Sequence, residues 1–415
     1  MRNAMDPLLT VGLVLALGLL LGELAQRLGF PRVAGYILAG IALNPRITGV
    51  VPLNFLSGTD PIVNAALAII TFEVGGTLSI GPLKELGKGI VFLALGEAEL
   101  TALVIAVSAT LALPFLVELP WGVGFAAAVP LALLLGALGS PTDPTATLAV
   151  IHQYKSKGVV SFSIMGAAAF DDALAIINFS VAVAMAGLLV AHSHTSVMSF
   201  LEPFLVIFGS VGLGAAMGFL YHWSVRLLGG RDDGILVALA ATILLAAYGI
   251  ASALKFDQLL VTMTVGITVV NLRRTRPRIF QLLERYVEPL VFLLFFTISG
   301  MYLDFAVLVR HLPVVLLFVA FRTVGKLGGA YLGATLGRAP QEVRRYTGWG
   351  LIPQGGIVIG LALTLKANPK LAPLADILVN VIIGATVIHE LVGPFTSKLA
   401  LEKAGEIPSA KKEPT

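Results

Sequence analysis

The chain is a succession of apolar runs separated by short polar turns. A helix needs about 20 apolar residues to cross the hydrocarbon core of a bilayer. Read on that basis, the pattern predicts thirteen spans, near residues 6–28, 31–45, 61–79, 89–113, 122–151, 159–190, 200–225, 234–253, 258–272, 286–303, 314–337, 347–366 and 375–397. Several are short or interrupted by glycine and proline. The turns check the count. Of the 28 lysines and arginines, Arg322 and Lys326 fall inside a span, and Arg2, Arg46, Lys255, Arg310, Lys366 and Lys370 fall in turns on one side. All the others, from Arg27 through the run 273-RRTRPR-278 to Lys412, fall in turns on the opposite side. Cytoplasmic turns carry the excess of Lys and Arg, so the N-terminus is expected outside and the C-terminus in the cytoplasm. That alternation requires an odd number of spans.

Composition agrees with this reading. The 415 residues are 57% hydrophobic and 13% charged, with strongly positive mean hydropathy, against about 25% charged in a soluble domain. Lipid is the expected solvent, and a multi-pass position in the cytoplasmic (inner) membrane the expected location. The net charge of +4 follows from topology, and no nucleic-acid partner is expected. The absence of cysteine excludes disulfides and thiolate metal sites. The N-terminal stretch MRNAMDPLLTVGLVLALGLLLG has the length of a signal peptide, but no small-residue cleavage site follows and a second apolar run begins after Arg32. The chain reads as one transmembrane domain, 1–397, with a short cytoplasmic tail, 398–415, and no regulatory nucleotide-binding module.

Against this background a few polar residues stand out. In the sixth span, 166-GAAAFDDALAIINFSVAVAMAGLL-189, Asp171 and Asp172 lie about a dozen residues from the cytoplasmic end, roughly 18 Å deep and near the centre of a ~30 Å core. A charge there costs at least about 2.5–3.5 kcal/mol, so two adjacent carboxylates require partners, protons or cations. Successive helical residues point about 100° apart. One carboxylate is thus free to face Lys326, at matching depth in the eleventh span, while the other faces an aqueous cavity. The fifth span is broken at 136-GALGSPTDPTATLAVI-151, with Pro141 and Pro144, and the twelfth at 348-GWGLIPQGGIVIGLAL-363, with Pro353, Gln354 and Gly355. Proline removes a helix hydrogen bond and glycine unwinds at little cost. Opened backbone persists at membrane depth only where it is buried in protein or lines a wet cavity. The two broken spans lie seven apart and cross in opposite directions, the arrangement of inverted repeats whose paired broken helices build a midplane ion site.

Other polar groups have two readings each. Glu73, near the inner end of the third span, contacts the ion or snorkels to the headgroups. Glu97 and Glu99 lie two apart in the fourth span and so diverge. Arg322, one turn from Lys326, needs an anion, and a structural bridge from Glu97 or Glu99 is expected to supply it. Asn178 extends the polar lining or bonds within the core. His389 and Glu390 are expected to brace the broken helices. The spacing of His192 and His194 is a weak metal signal.

Four of these segments together resemble the monovalent cation/proton antiporter superfamily, the sodium/proton exchangers. The stretch 140-SPTDPTATLAVI-151 is similar to the unwound-helix motif of the NhaP-like branch, and 71-TFEVGGTLSI-80 to that branch's F-E-x-G segment. The pair Asp171-Asp172 resembles the paired aspartates of the electrogenic NapA-like branch, and 321-FRTVGKLGGAYLG-333 its lysine helix. The resemblance implies an all-α integral membrane fold with inverted repeats and two crossed broken helices. It implies that Asp172 binds cation and proton in competition and that Asp171 pairs with Lys326. It also implies that Thr142, Asp143 and Glu73 contribute to the ion site. Spans 1–3 and 8–10 would form a scaffold and the face of a homodimer, spans 4–6 and 11–13 the ion-transport core, and span 7 the linker. The chain mixes the branches: Ala167 and Ala168 stand where the NhaP-like branch has Glu and Ser, and Gln354 and Gly356 where NapA-like proteins have Arg and Glu.

Na⁺ prefers hard oxygen ligands, which the Asp172 carboxylate, the Thr142 oxygens and unwound carbonyls supply, with Glu73 and water completing the shell. The expected activity is therefore exchange of Na⁺ for H⁺ by alternating access, electrogenic through the Asp171–Lys326 pair and serving pH homeostasis. No cofactor is expected beyond the transported ions, nor any enzymatic activity. Exchange of K⁺ or Li⁺ is not separated from Na⁺ by these residues. A sodium-coupled solute symporter would need a roomy organic pocket. A channel would show symmetric pore-lining rings, and an intramembrane aspartyl protease would place its two aspartates on separate helices.

Overall fold

The computed structural model describes residues 6–407 except 29, 31, 53–54, 57, 80–86, 144–146, 148–149, 152–153, 155, 191–196, 229–231 and 273–276. The described chain is helical: α1 (Pro7–Arg27), α2 (Arg32–Ala42), α3 (Asp60–Thr77), α4 (Gly87–Leu116), α5 (Phe125–Ala137), α6 (Val159–Val190), α7 (Val197–Leu227), α8 (Asp233–Leu254), α9 (Gln258–Asn271), α10 (Arg278–Leu282), α11 (Glu288–Met301), α12 (Phe305–Arg310), α13 (Leu312–Leu336), α14 (Gln341–Gly350), α15 (Ile357–Thr364) and α16 (Ala372–Lys403). A π turn, Leu283–Val287, joins α10 to α11. Among the described residues seven helices are long and apolar enough to cross a membrane: α1, α4, α6, α8, α13, α16 and most of α7. Helices α2, α5, α9 and α15 are shorter and equally apolar.

The burial pattern follows from the solvent. Leu336, Phe208, Phe115 and Phe395 are exposed on helix surfaces, while Arg322, Lys326, Glu97, Asp171 and Glu390 are fully buried. Such a surface belongs in hydrocarbon, where polar groups are satisfied inside the protein. Helix starts are fixed by aspartates: Asp232 caps α8, Asp257 caps α9 and Asp304 caps α12, each accepting two main-chain N–H groups. An N-cap carboxylate satisfies donors that have no partner in the first turn.

Helices α4, α5, α6, α13, α14 and α16 pack on one another, and α1, α2, α3, α9 and α11 form contacts of their own, with α7 and α8 against α9. The most extensive crossing is α4 on α13. Gly325, Gly329 and Gly333, with Gly337 at the C-cap, recur every fourth residue along one face of α13. A methyl group on Gly329 would lie 2.5 Å from the Gly96 carbonyl oxygen and 2.7 Å from the Glu97 Cα. One on Gly333 would lie 2.3 Å from the Phe92 carbonyl oxygen. Only glycine lets the two backbones meet, as in small-residue seams between membrane helices generally.

Three boundaries differ from the hydropathy reading. The twelfth segment begins at Gln341, not 347, because α14 is amphipathic and its Glu342, Arg344 and Arg345 depress the local hydropathy. The tenth begins at Arg278, the π turn accommodating Pro289, which lacks an N–H for the preceding turn. The last span, expected to end at 397, runs on to Lys403. Beyond it Glu406 folds back to cap α6, its carboxylate accepting from the N–H groups of Val160 at 2.6 Å and Ser161 at 2.9 Å and from the Ser161 hydroxyl at 2.6 Å.

The seam makes a paired prediction. Gly329→Ala should destabilise the protein by about 1–3 kcal/mol through overpacking. At the adjacent Gly328 a methyl would meet only a Leu100 side-chain carbon at 3.7 Å, and Gly328→Ala should be neutral or stabilising by about 0.5–1 kcal/mol through helix propensity. Thermal unfolding in detergent checks both, and equal behaviour of the two variants would contradict a backbone-to-backbone crossing.

Candidate functional site

The two predicted breaks meet. Helix α5 ends at Ala137 and α14 at Gly350, and the extended stretches that follow cross as an isolated antiparallel bridge between Thr142 and Gln354. The bonding is reciprocal. Asp143 N–H donates to the Pro353 carbonyl at 3.1 Å, and Gly355 N–H to the Pro141 carbonyl at 3.3 Å. Each segment reads Pro-x-y, and in each the proline carbonyl accepts from residue y of the other. Proline has no N–H to leave stranded, so the same residue opens the helix and serves as an acceptor in the crossing. Pro144 lies outside the described residues.

Arg322 binds both proline carbonyls as well and gathers two more. Its Nε donates to Gly139 O at 2.8 Å, Nη1 to Ile352 O at 2.5 Å, and Nη2 to Pro141 O at 2.7 Å and Pro353 O at 3.3 Å. A planar guanidinium with five fixed donors suits this task, where a lysine would not. The expected bridge from Glu97 or Glu99 to Arg322 is therefore corrected. Arg322 bonds main-chain carbonyls, Glu97 forms its ion pair with Lys326, and Glu99 turns away to accept from Asn178 Nδ2 at 3.2 Å. The two-residue spacing of the glutamates separates them as helical geometry requires.

Lys326 stands at the centre. Its ammonium contacts Glu97 and the Ser140 carbonyl, donates to Thr142 Oγ1 at 2.7 Å, and lies 3.2 Å from Asp171 Oδ2. The Thr142 hydroxyl in turn donates to Asp171 Oδ2 at 2.5 Å. Asp171 is fully buried, while Asp172, on the next face of α6, is half-buried. Asp172 Oδ1 is enclosed without a hydrogen-bond partner. A methyl group on Gly355 would sit 3.2 Å from that oxygen and 3.3 Å from the Thr142 carbonyl oxygen. The two oxygens thus converge on the space above Gly355.

On α16, His389 Nδ1 shares a hydrogen bond of 2.8 Å with Gln354 Oε1, and the carboxyl group of Glu390 reaches that of Asp143. Both α16 residues touch the broken segments. Glu73 is half-buried on α3 and is not among the hydrogen-bond or ion-pair partners of Asp171, Thr142 or Lys326. His192 and His194 lie outside the described residues, and no cluster of metal-binding side chains occurs among the described ones. What the sequence reading missed is the use of carbonyls by Arg322 and the pairing of Glu97. The four-residue recurrence of glycine from 325 to 337, which sets α4 against α13, was the available signal for the second.

Comparison with solved structures places this geometry in a known fold. A structure of the sodium proton antiporter MjNhaP1 from Methanocaldococcus jannaschii at pH 8 superposes with a TM-score of 0.76 at 18% identity, over 96% of this chain and 99% of that one. An electron-microscopy structure of the same antiporter gives 0.71 at 19% identity, over 98% and 100%. At that identity the likeness is one of fold. The family pattern described as sodium/hydrogen exchanger, transmembrane, matches residues 12–403. Spanning nearly all of the chain, that match makes the protein a member of the sodium/hydrogen exchanger family of membrane transporters.

Proposed function

We propose that this chain exchanges Na⁺ for H⁺ across the cytoplasmic membrane by alternating access, with Asp172 taking cation and proton in turn. The observation that carries the reading is the contrast within the aspartate pair. Asp171 is tied to Thr142 and Lys326, whereas Asp172 Oδ1 has no protein partner and faces a small space shared with the Thr142 carbonyl. A buried carboxylate costs several kcal/mol unless something neutralises it. A proton and a dehydrated Na⁺ are the two candidates, and they compete for the same oxygen. Supporting ligands come from the carbonyl rather than the hydroxyl of Thr142, since the hydroxyl is engaged with Asp171 and Lys326.

Obligatory exchange then follows from desolvation. Movement of the α4–α6 and α13–α16 group against α1–α3, α8, α9 and α11 carries Asp172 past apolar surface. With neither ligand bound, the bare carboxylate would make that passage at a high cost. Exchange is proposed to be electrogenic, two protons for one Na⁺, the second proton coming from the cluster built on Lys326 and Asp171. One net charge per cycle couples transport to the membrane potential by about 2.3 kcal/mol per 100 mV.

In proteoliposomes, Asp172→Asn should abolish exchange of Na⁺, Li⁺ and K⁺ alike while the protein remains folded by size-exclusion chromatography. Exchange at the wild-type rate in that variant would sink the assignment. Under an imposed potential, the double variant Asp171→Asn/Lys326→Gln should still exchange Na⁺ for H⁺ but no longer respond to voltage. A wild-type protein already indifferent to potential would show that the Asp171–Lys326 contact is structural and that Asp172 works alone.

A further inference from the structure

The buried ammonium of Lys326 has two carboxylates, and the nearer is Glu97 on α4 rather than Asp171 on α6. Glu97 is fully buried, and neither of its oxygens has a partner in hydrogen-bonding geometry. Its compensation is electrostatic. Lys326 touches it, Arg322 lies close enough to interact with it, and Asp171 is the like charge facing it. Glu99 on the same helix is turned towards Asn178. A buried carboxylate in this position is costly without its cation.

The glycine seam holds the Glu97–Lys326 contact in place. Gly329 meets the backbone of Gly96 and Glu97, and Gly325 that of Thr101, so α4 and α13 are in main-chain contact on both sides of the pair. The backbones that carry the two groups are thereby held at a fixed separation. Asp171 sits on a third helix. Its Oδ2 takes the Thr142 hydroxyl at 2.5 Å and the lysine at 3.2 Å, and its Oδ1 has no partner.

We propose that Glu97 is a positioning residue of the exchange site: as the fixed counter-ion of Lys326 it keeps the ammonium from closing fully on Asp171, and so leaves an Asp171 oxygen available to the Na⁺ held on Asp172. This rests on the reading of Asp172 as the cation carrier. Glu97 touches no substrate and acts through the lysine.

The consequence is a signature in cation affinity. In Glu97→Gln the lysine loses its nearer partner and competes with Na⁺ for Asp171. KM for Na⁺ should rise on the order of tenfold, with a smaller change in maximal rate. In Glu97→Gln/Lys326→Gln the competitor is gone, and KM should return towards the wild-type value. Glu97→Asp withdraws the carboxylate by one methylene and should raise KM in the same direction by less. It decides the question alone if Glu97→Gln does not fold. The measurement is the Na⁺ dependence of proton release in proteoliposomes at fixed pH. A purely structural Glu97 would lower yield or maximal rate without moving KM, and the double variant would be worse than either single one. Unchanged KM in both Glu97 variants, or a double variant with KM no lower than Glu97→Gln, overturns the proposal. Asp172→Asn in the same assay separates the two levels. Exchange persisting there removes the site itself, whereas loss of exchange there with unmoved KM in the Glu97 variants removes only the role of Glu97.

Discussion

Opening two helices within a membrane strands main-chain carbonyls where lipid cannot hydrate them, and the fold is organised around satisfying them. Arg322 does most of this, spending its guanidinium on four carbonyls drawn from both broken segments. Two of the four, those of Pro141 and Pro353, accept a second bond from Gly355 and Asp143 of the opposite segment. Neither device works alone. The crossing needs both segments at one depth, and Arg322 needs both sets of carbonyls within reach of one side chain. The prolines, the arginine and the antiparallel placement of α5 and α14 are thus parts of a single solution.

That solution determines where charge sits. Because Arg322 bonds carbonyls, the carboxylates of the site are left to Lys326 and to one another. Glu97 and Asp171 share the lysine, Glu390 leans on Asp143, and Asp172 keeps an oxygen without a partner. Buried carboxylates here outnumber buried cations. In a medium that tolerates little net charge, such a site suits the proposed exchange of protons and mobile cations. Family membership and charge arrangement, reached by separate routes, point to the same chemistry.

Much of this was legible in the residues. Apolar runs located the helices because lipid imposes a length on them, and the prolines of 140-SPTDPT-145 and 352-IPQGG-356 marked the breaks because proline cannot continue a helix. Asp171, Asp172 and Lys326 stood out because ionisable groups at that depth are expensive. The partner of Arg322 was not legible. A bond from side chain to carbonyl leaves no complementary residue to find, and a search for an acid led to Glu97. The start of α14 was hidden because an amphipathic helix with Glu342, Arg344 and Arg345 does not register as a membrane segment. The contact between Glu97 and Lys326 depended on the crossing of α4 and α13, a tertiary fact signalled only by glycines at four-residue intervals.

The cap that Glu406 places on α6 has a mechanical meaning. The carboxylate grips the first turn of the helix that carries Asp171 and Asp172, and it is attached to α16 by the turn after Lys403. Residues 404–407 therefore form a handle. A load applied there, by a fused protein or a bound partner, reaches α6 through one carboxylate and three hydrogen bonds, bypassing every connecting loop.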